Sequence, residues 1–287
     1  YDESFLIKKI LNENIFDSTF IYPDSKKFLP TFQEMLEVHD EPISSPTWYS
    51  HYLACKTMHR KKIKYVFGGD GGDHVLAGLY DDIPYFLADL KFKRKKIFEY
   101  ELQRWTELHD HPIFRKNREI FEIYLKKCFK KKKQGKIFAY TWDENLMRNN
   151  NAYTNLKKKN LKLEKKKLFP SITNSFLKNN SLKNLHHTSS PPSTRAEIPN
   201  FSNFGIECRS AFLDEKVVEF CWNLPIHYMI KDGYTKWLIR HSLKGYLPNE
   251  VLWNKKHIGL NAPANIWFRY GLKKELKKTI NNFLKRK

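Results

Sequence analysis

Apolar positions in the first quarter of the chain switch between two periods. Phe5, Leu6, Ile10 and Leu11 share one helical face. Residues 15–22 (IFDSTFIY) are β-branched and aromatic and are closed by Pro23, which predicts a short strand. Helical spacing returns over 29–38. It returns again from Ser45, a cap residue followed by Pro46, through Trp48, Tyr52, Leu53 and Cys55 to about Arg60. The run Ile63 to Phe67 (IKYVF) predicts a buried strand. It stops at Gly68-Gly69-Asp70-Gly71-Gly72-Asp73, and a helix is expected to start near His74. Helix, strand, helix, strand, glycine loop and helix in turn are the grammar of a parallel α/β sheet.

The rest of the chain is dominated by helical periods. Residues 82–133 read as helical, with a break near His111-Pro112. Residues 134–200 are Lys- and Asn-rich with weak periodicity, and Ser189 to Ser193 (SSPPS) is expected to be a loop. Residues 214–224 and 235–243 predict helices capped by Asp214 and Thr235, and residues 271–284 predict an amphipathic one. Two strands do not make a stable sheet. The sheet's first strands are therefore expected upstream of Tyr1. The organisation expected is a partial α/β nucleotide-binding part over 1–90 and a mainly helical part over 91–287.

Charge changes the picture less than its sum suggests. The 287 residues carry a net charge of +21. Such an excess points first to nucleic acid. The windows 126–136 and 157–167 hold seven lysines each, and residues 273–287 hold seven basic residues, so the remainder is almost neutral. Interleaved aromatic platforms and zinc-finger spacing are lacking, so no specific nucleic-acid partner is expected. No apolar run reaches the ~18 residues of a membrane span, so no membrane partner is expected. Cys55, Cys128, Cys208 and Cys221 lack CxxC spacing and read as reduced thiols of a cytoplasmic protein, Cys55 and Cys221 as buried inert ones.

The sharpest chemistry lies in the glycine loop. Glycines at a strand's carboxyl end let a ligand approach the backbone. Asp70 and Asp73 supply hard oxygen ligands of the kind that hold Mg²⁺ against phosphates. A structural turn and a nucleotide loop both fit this segment.

The glycine loop and four later blocks, Gly205 to Asp214, Gly233 to Arg240, Leu247 to Leu252 and Ile258 to Trp267, stand in an order that resembles the synthetase domain of asparagine synthetase-like enzymes. Val66-Phe-Gly-Gly-Asp-Gly-Gly-Asp-His-Val-Leu-Ala-Gly78 is similar to V-L-S-G-E/D-G-G/A-D-E-L-F-G-G. Gly205-Ile-Glu-Cys-Arg-Ser-Ala-Phe-Leu-Asp214 resembles S/G-I-E-x-R-x-P-F-L-D. Gly233 to Arg240 (GYTKWLIR), Leu247 to Leu252 (LPNEVL) and Ile258 to Trp267 resemble G-x-T-K-x-L-L-R, L-P-x-E-V-L and the block after the family's catalytic lysine.

The resemblance implies an adenine-nucleotide α-hydrolase-like parallel sheet and an ATP- and Mg²⁺-dependent amide ligase. A small-molecule carboxylate would be activated as an acyl-adenylate and attacked by ammonia from a glutaminase domain outside this chain. Carried over by position, Asp73 is a Mg²⁺ ligand and Asp70 the loop acid that assists amine attack. Gly69, Gly71 and Gly72 lie against the nucleotide. His257 stands at the catalytic lysine, with a surface histidine between lysines as the alternative reading.

This sequence departs from the pattern at several points. The S-G-G-x-D-S pyrophosphate loop is lacking, His74 follows the loop aspartate, and Asn254 replaces an arginine. Glu197-Ile198-Pro199 aligns with the family's E-D-R triplet, and Ala211 replaces the proline of P-F-L-D. A degenerate, non-catalytic scaffold and an amide ligase acting on a peptide or glycan carboxylate are the alternatives.

Overall fold

The computed structural model describes residues 3–13, 16–39, 41–43, 45–79, 82–108, 126, 172–255 and 262–285. The basic windows 126–136 and 157–167, Lys126 apart, lie outside the described residues, as does the expected break near His111-Pro112. The fold is a mostly helical α/β arrangement with a small parallel sheet. In chain order the elements are α1 (Ser4–Glu13), α2 (Ser25–Val38), α3 (Thr47–Arg60), β1 (Tyr65–Gly68), α4 (Gly72–Val75), α5 (Asp82–Lys93) and α6 (Lys95–Leu108). There follow α7 (Phe176–Lys183), a π-helical turn (Asn184–Thr188), α8 (Ser190–Asn203), β2 (Glu207–Ser210), α9 (Glu215–Asn223), β3 (Ile230–Lys231) and β4 (Tyr234–Thr235). The last helices are α10 (Trp237–Ser242), α11 (Asn249–Leu252), α12 (Ala264–Ile266) and α13 (Lys273–Lys285).

Local chemistry sets most of these boundaries. Asp24 caps α2 by accepting from the Lys26 N–H at 2.9 Å. Phe28, Thr31 and Met35 then follow at helical spacing as its buried face. Ser45 Oγ accepts from the Thr47 N–H just ahead of α3, but Pro46 and not Ser45 takes the cap position, and Tyr49, Tyr52 and Cys55 face inward. Asp214 caps α9 through the Lys216 and Val217 N–H groups, as its position predicts.

Four expectations fail for identifiable reasons. Residues 16–24 form neither strand nor helix, and Phe16 and Tyr22 lie exposed. Strand-favouring side chains need a ladder partner and a surface to pack on, and none is found for this segment among the described residues. Ser189 to Ser193 is not a loop, because α8 begins at Ser190 and runs through Pro191 and Pro192. Prolines are tolerated in a first turn, where N–H groups have no intrahelical acceptor. Thr235 is no cap but the end of β4, and α10 starts two residues later. A further strand, β2, forms where none was expected. It pairs in parallel with β1, Tyr65 opposite Glu207 and Gly68 opposite Ser210.

The chain divides into two compact units. The first comprises Tyr1–Gly68, Pro192–Ala211 and Leu243–Lys287. Its core joins Phe28, Met35, Tyr49, Tyr52, Trp267 and Leu272, and a smaller cluster places Cys55, Phe201 and Ile206 against Val66 of β1. On the opposite face of this short sheet, Tyr65 is 60% and Phe67 79% exposed.

The second unit comprises Gly69–Pro191 and Phe212–Ser242. Its core packs Phe86, Leu87, Leu102, Trp105, Leu177, Met229 and Ile230. Asp89 of α5 caps α7 across the unit, with its carboxylate accepting from the Phe176 and Leu177 N–H groups and from Ser175 Oγ. Glu101 of α6 does the same for the β3–β4 turn, accepting from the Asp232 and Gly233 N–H groups at 2.9 Å each.

Burial pushes the Glu101 carboxyl above its ordinary value, and the two N–H donors only partly offset this. A raised acid contributes most stability below its unfolded value and loses it as pH rises through its folded value. The stability of the wild type relative to Glu101→Gln should therefore decline as pH rises above the ordinary glutamate range. Urea denaturation across pH checks this, and a difference that grows with pH would contradict it.

Candidate functional site

The glycine loop follows β1 and turns directly into α4. Gly71 has φ +84° and its N–H neighbour Gly72 bonds back to the Gly69 carbonyl at 3.3 Å. A Cβ on Gly71 would lie 2.4 Å from Leu213 Cδ2, and one on Gly72 3.2 Å from the Phe212 ring. Gly71 is thus required by its positive φ and its approach to Leu213, and Gly72 is packed tightly on the Phe212 ring. Gly69 is different. It is exposed, and nothing lies within 4 Å of where its Cβ would be. Asp70 is half-buried in the turn itself.

Asp73 sits in the first turn of α4, half-buried, and forms an ion pair with Lys236 at 2.5 Å. The pair is packed so tightly that a Cβ on Gly78 would lie 2.1 Å from Asp73 Oδ1 and 2.3 Å from Lys236 Cε. The Gly78 N–H also closes on the Asp73 carbonyl at 2.7 Å.

Lys236 reaches Asp73 because of its backbone. It has φ +53° and precedes α10, and its N–H donates to the Leu76 carbonyl at 3.3 Å. Ala77, at φ +54°, turns the other strand of chain out of α4. Two non-glycine residues in this region represent strain of about 1–3 kcal/mol each, and such strain clusters at functional sites.

The G-Y-T-K block gains a physical reading here. Asp232 (φ +54°) and Gly233 (φ +77°) form the turn of the β3–β4 hairpin, and the hairpin delivers Lys236 to the loop. Arg240 lies within α10, one turn beyond Lys236. Its guanidinium donates to the Thr235 carbonyl at 2.8 Å. Burial lowers the Arg240 pKa. Arg209 is exposed and bonds Glu207 within β2 at 2.8 Å.

Beside Asp73, both ring nitrogens of His74 are buried without a hydrogen-bond partner among the described residues. Burial holds this imidazole below the usual histidine range, the Asp73 carboxylate opposes that, and the Lys236 ammonium adds to it. The ring is therefore neutral near pH 7, where the family pattern has an acid. His257 lies outside the described residues.

The thiols behave as the sequence suggests where they are described. Cys55 is fully buried and its thiol is pushed up to about 12, chiefly by burial. In the native protein Cys55 should resist iodoacetamide at pH 8 while the half-buried Cys208 reacts first, as read by peptide mass spectrometry. Equal labelling of the two would refute the packing described for α3.

Comparison against known proteins bears on the resemblance of these blocks. The asparagine synthase family profile matches residues 1–286, and the chain belongs to that family. Two relatives are from Bacillus subtilis strain 168. Asparagine synthetase [glutamine-hydrolyzing] 3 is 37% identical over 51 residues, covering 18% of this chain and 8% of the relative. Asparagine synthetase [glutamine-hydrolyzing] 1 is 33% identical over 79 residues, covering 28% and 12%. The chain thus matches only about a tenth of the length of these relatives. No solved structure matches.

Proposed function

We propose that this chain is the synthetase part of an ATP-dependent amide ligase that activates a small-molecule carboxylate and passes it to ammonia. The observation that carries the reading is the Asp73–Lys236 pair. It joins the glycine-loop block to the G-Y-T-K block, two segments far apart in sequence that the family pattern shares. A lysine ammonium held beside an aspartate at a glycine loop is suited to a polyphosphate and its counter-ion.

In this mechanism the substrate carboxylate attacks the α-phosphorus of ATP and pyrophosphate leaves. Ammonia, supplied by a glutaminase domain, then attacks the acyl carbon, and AMP leaves. Lys236 balances charge on the phosphates as the leaving group develops. Gly69 provides the open backbone position against the nucleotide, while Gly71 and Gly72 hold the loop's curvature. The carboxylates of Asp70 and Asp73 are hard oxygen donors that fit Mg²⁺, and Asp73 would release Lys236 to the phosphates on holding it. When bound, Mg²⁺ supplies Lewis-acid polarisation of phosphate oxygens. Asp70 is the acid assigned to amine attack, and His257 stands in for the catalytic lysine.

A second reading, a non-catalytic scaffold, is favoured by the neutral His74 at the position of an acid. AMP and pyrophosphate release separates the two. The full chain is incubated with ATP, Mg²⁺, ammonia and a panel of carboxylates that includes aspartate, a peptide acid and a uronic acid. Carboxylate-dependent AMP formation supports the ligase and names its acceptor class. ATP binding without AMP formation for any carboxylate supports the scaffold.

A further inference from the structure

Within the first unit a chain of hydrogen bonds links three helices. His39, the residue that ends α2, has Nε2 3.0 Å from Asn200 Oδ1 on α8. Asn200 Nδ2 lies 3.2 Å from His51 Nδ1 on α3, and His51 Nε2 lies 3.0 Å from Glu197 Oε1, one turn back along α8. Asn200 and His39 are buried, whereas the His51 and Glu197 side chains are 13% and 15% exposed. The network therefore runs from a closed end to a more open one, and the carboxylate stands at the open end.

The chemistry fixes its direction. An amide nitrogen can only donate, so His51 Nδ1 must accept from Asn200 and carry no proton. A neutral imidazole then has its proton on Nε2, the atom facing Glu197. The Cys55 thiol, kept protonated by burial, lies 3.8 Å from the same Nδ1 and offers it a second, weak donor. The rings of Trp48 and Phe201 flank the imidazole edge-on and exclude water from it. The opposite tautomer would set N–H against N–H₂ at one nitrogen and a lone pair against a carboxylate oxygen at the other. Each is an unsatisfied contact in a partly buried setting.

We propose that His51 is a positioning residue that holds Glu197 as a fixed hydrogen-bond acceptor, and that Asn200 acts at one remove by selecting the His51 tautomer. A helix staple alone would need only the buried His39–Asn200 pair. The extension through His51 orients a carboxylate that has about four lone-pair directions, of which His51 takes one. The group such a carboxylate receives is an N–H or O–H donor. Glu197 aligns with the first residue of the E-D-R triplet, but the inference stands apart from the ligase reading and its test needs no turnover.

Two-bond ¹H–¹⁵N correlation on ¹⁵N-histidine-labelled protein reads the tautomer directly. The expected result is a His51 Nε2–H with unprotonated Nδ1. Asn200→Asp, which offers Nδ1 an acceptor, should protonate that nitrogen. The ¹³Cδ resonance of Glu197 should stay in place in His51→Gln, whose amide still donates, and should move in His51→Phe. A His51 with its proton on Nδ1 in the wild type, a spectrum indifferent to Asn200→Asp, or a Glu197 signal moved equally by Gln and Phe would each overturn the proposal. The wild-type tautomer decides the matter even if a variant fails to fold.

Discussion

Replacing Asp73 by Asn should lower carboxylate-dependent AMP formation about 100-fold or more. Asparagine keeps the size of the side chain but removes the charge that pairs with Lys236 and would hold the counter-ion of the phosphates. Lys236→Met should do comparable damage by removing the ammonium from the other side of the same pair. The loss should appear with little unfolding. Both side chains are 31% exposed, and ion pairs in such settings contribute about 1 kcal/mol or less to stability. Pyrophosphate release measured beside urea denaturation makes the distinction. A variant as active as the wild type would remove Asp73 from the site, and one that is inactive only because it is unfolded would leave the pair a structural role.

Gly233→Val should destabilise the second unit by about 3 kcal/mol or more. Two penalties coincide at this position. A β-branched residue at φ +77° is strained by about 1–3 kcal/mol. A Cβ would also lie 2.9 Å from the Arg104 carbonyl carbon and 3.0 Å from the Trp105 nitrogen, so it would meet backbone that cannot rotate aside. Overpacking of that kind adds about 1–3 kcal/mol. The turn would have to lift off α6 and pull its N–H groups away from the buried Glu101. A shift in denaturation midpoint at constant slope measures the effect, and a loss below about 1 kcal/mol would mean that the hairpin does not pack on α6 as described.

The parts of this structure that were legible from sequence are those with local causes. The cap at Asp214, the start of α3 after Ser45-Pro46 and the strand before the glycine loop each depend on residues within a few positions. So does the inward face of α3, whose buried Cys55 was anticipated from its apolar neighbours. Residues 15–22 misled because strand propensity describes a fit to neighbours, and this segment has none among the described residues. Strand β2 was missed because four residues reading Glu-Cys-Arg-Ser carry no apolar alternation, so only its partner β1 defines it. The hairpin at Asp232-Gly233 did leave a signal, since Asp-Gly is the favoured dipeptide for such a turn. The helical period just beyond it obscured that signal.

The candidate site was half legible. Asp70, Asp73 and the glycines announced themselves by spacing and by the resemblance. The partner of Asp73 did not. Lys236 fell inside the segment 235–243 read as helical, and its left-handed φ, which turns it toward the loop instead, has no signature in a lysine. The Glu197–His51 contact is likewise long-range, between helices that sequence alone does not bring together.

The exposed face of the short sheet has a consequence for how the protein behaves in solution at high concentration. Tyr65 and Phe67 present two aromatic rings side by side on a strand whose ladder, among the described residues, has a single partner. Surfaces of that kind are templates for further strands and are normally blunted by charge. Here Glu207 and Arg209 on the neighbouring strand supply it, with the Arg209 guanidinium drawn over the Tyr65 ring at 5.3 Å. Arg209→Ala should therefore raise concentration-dependent light scattering with little change in the urea midpoint, because a charge placed over a sticky strand protects colloidal rather than conformational stability.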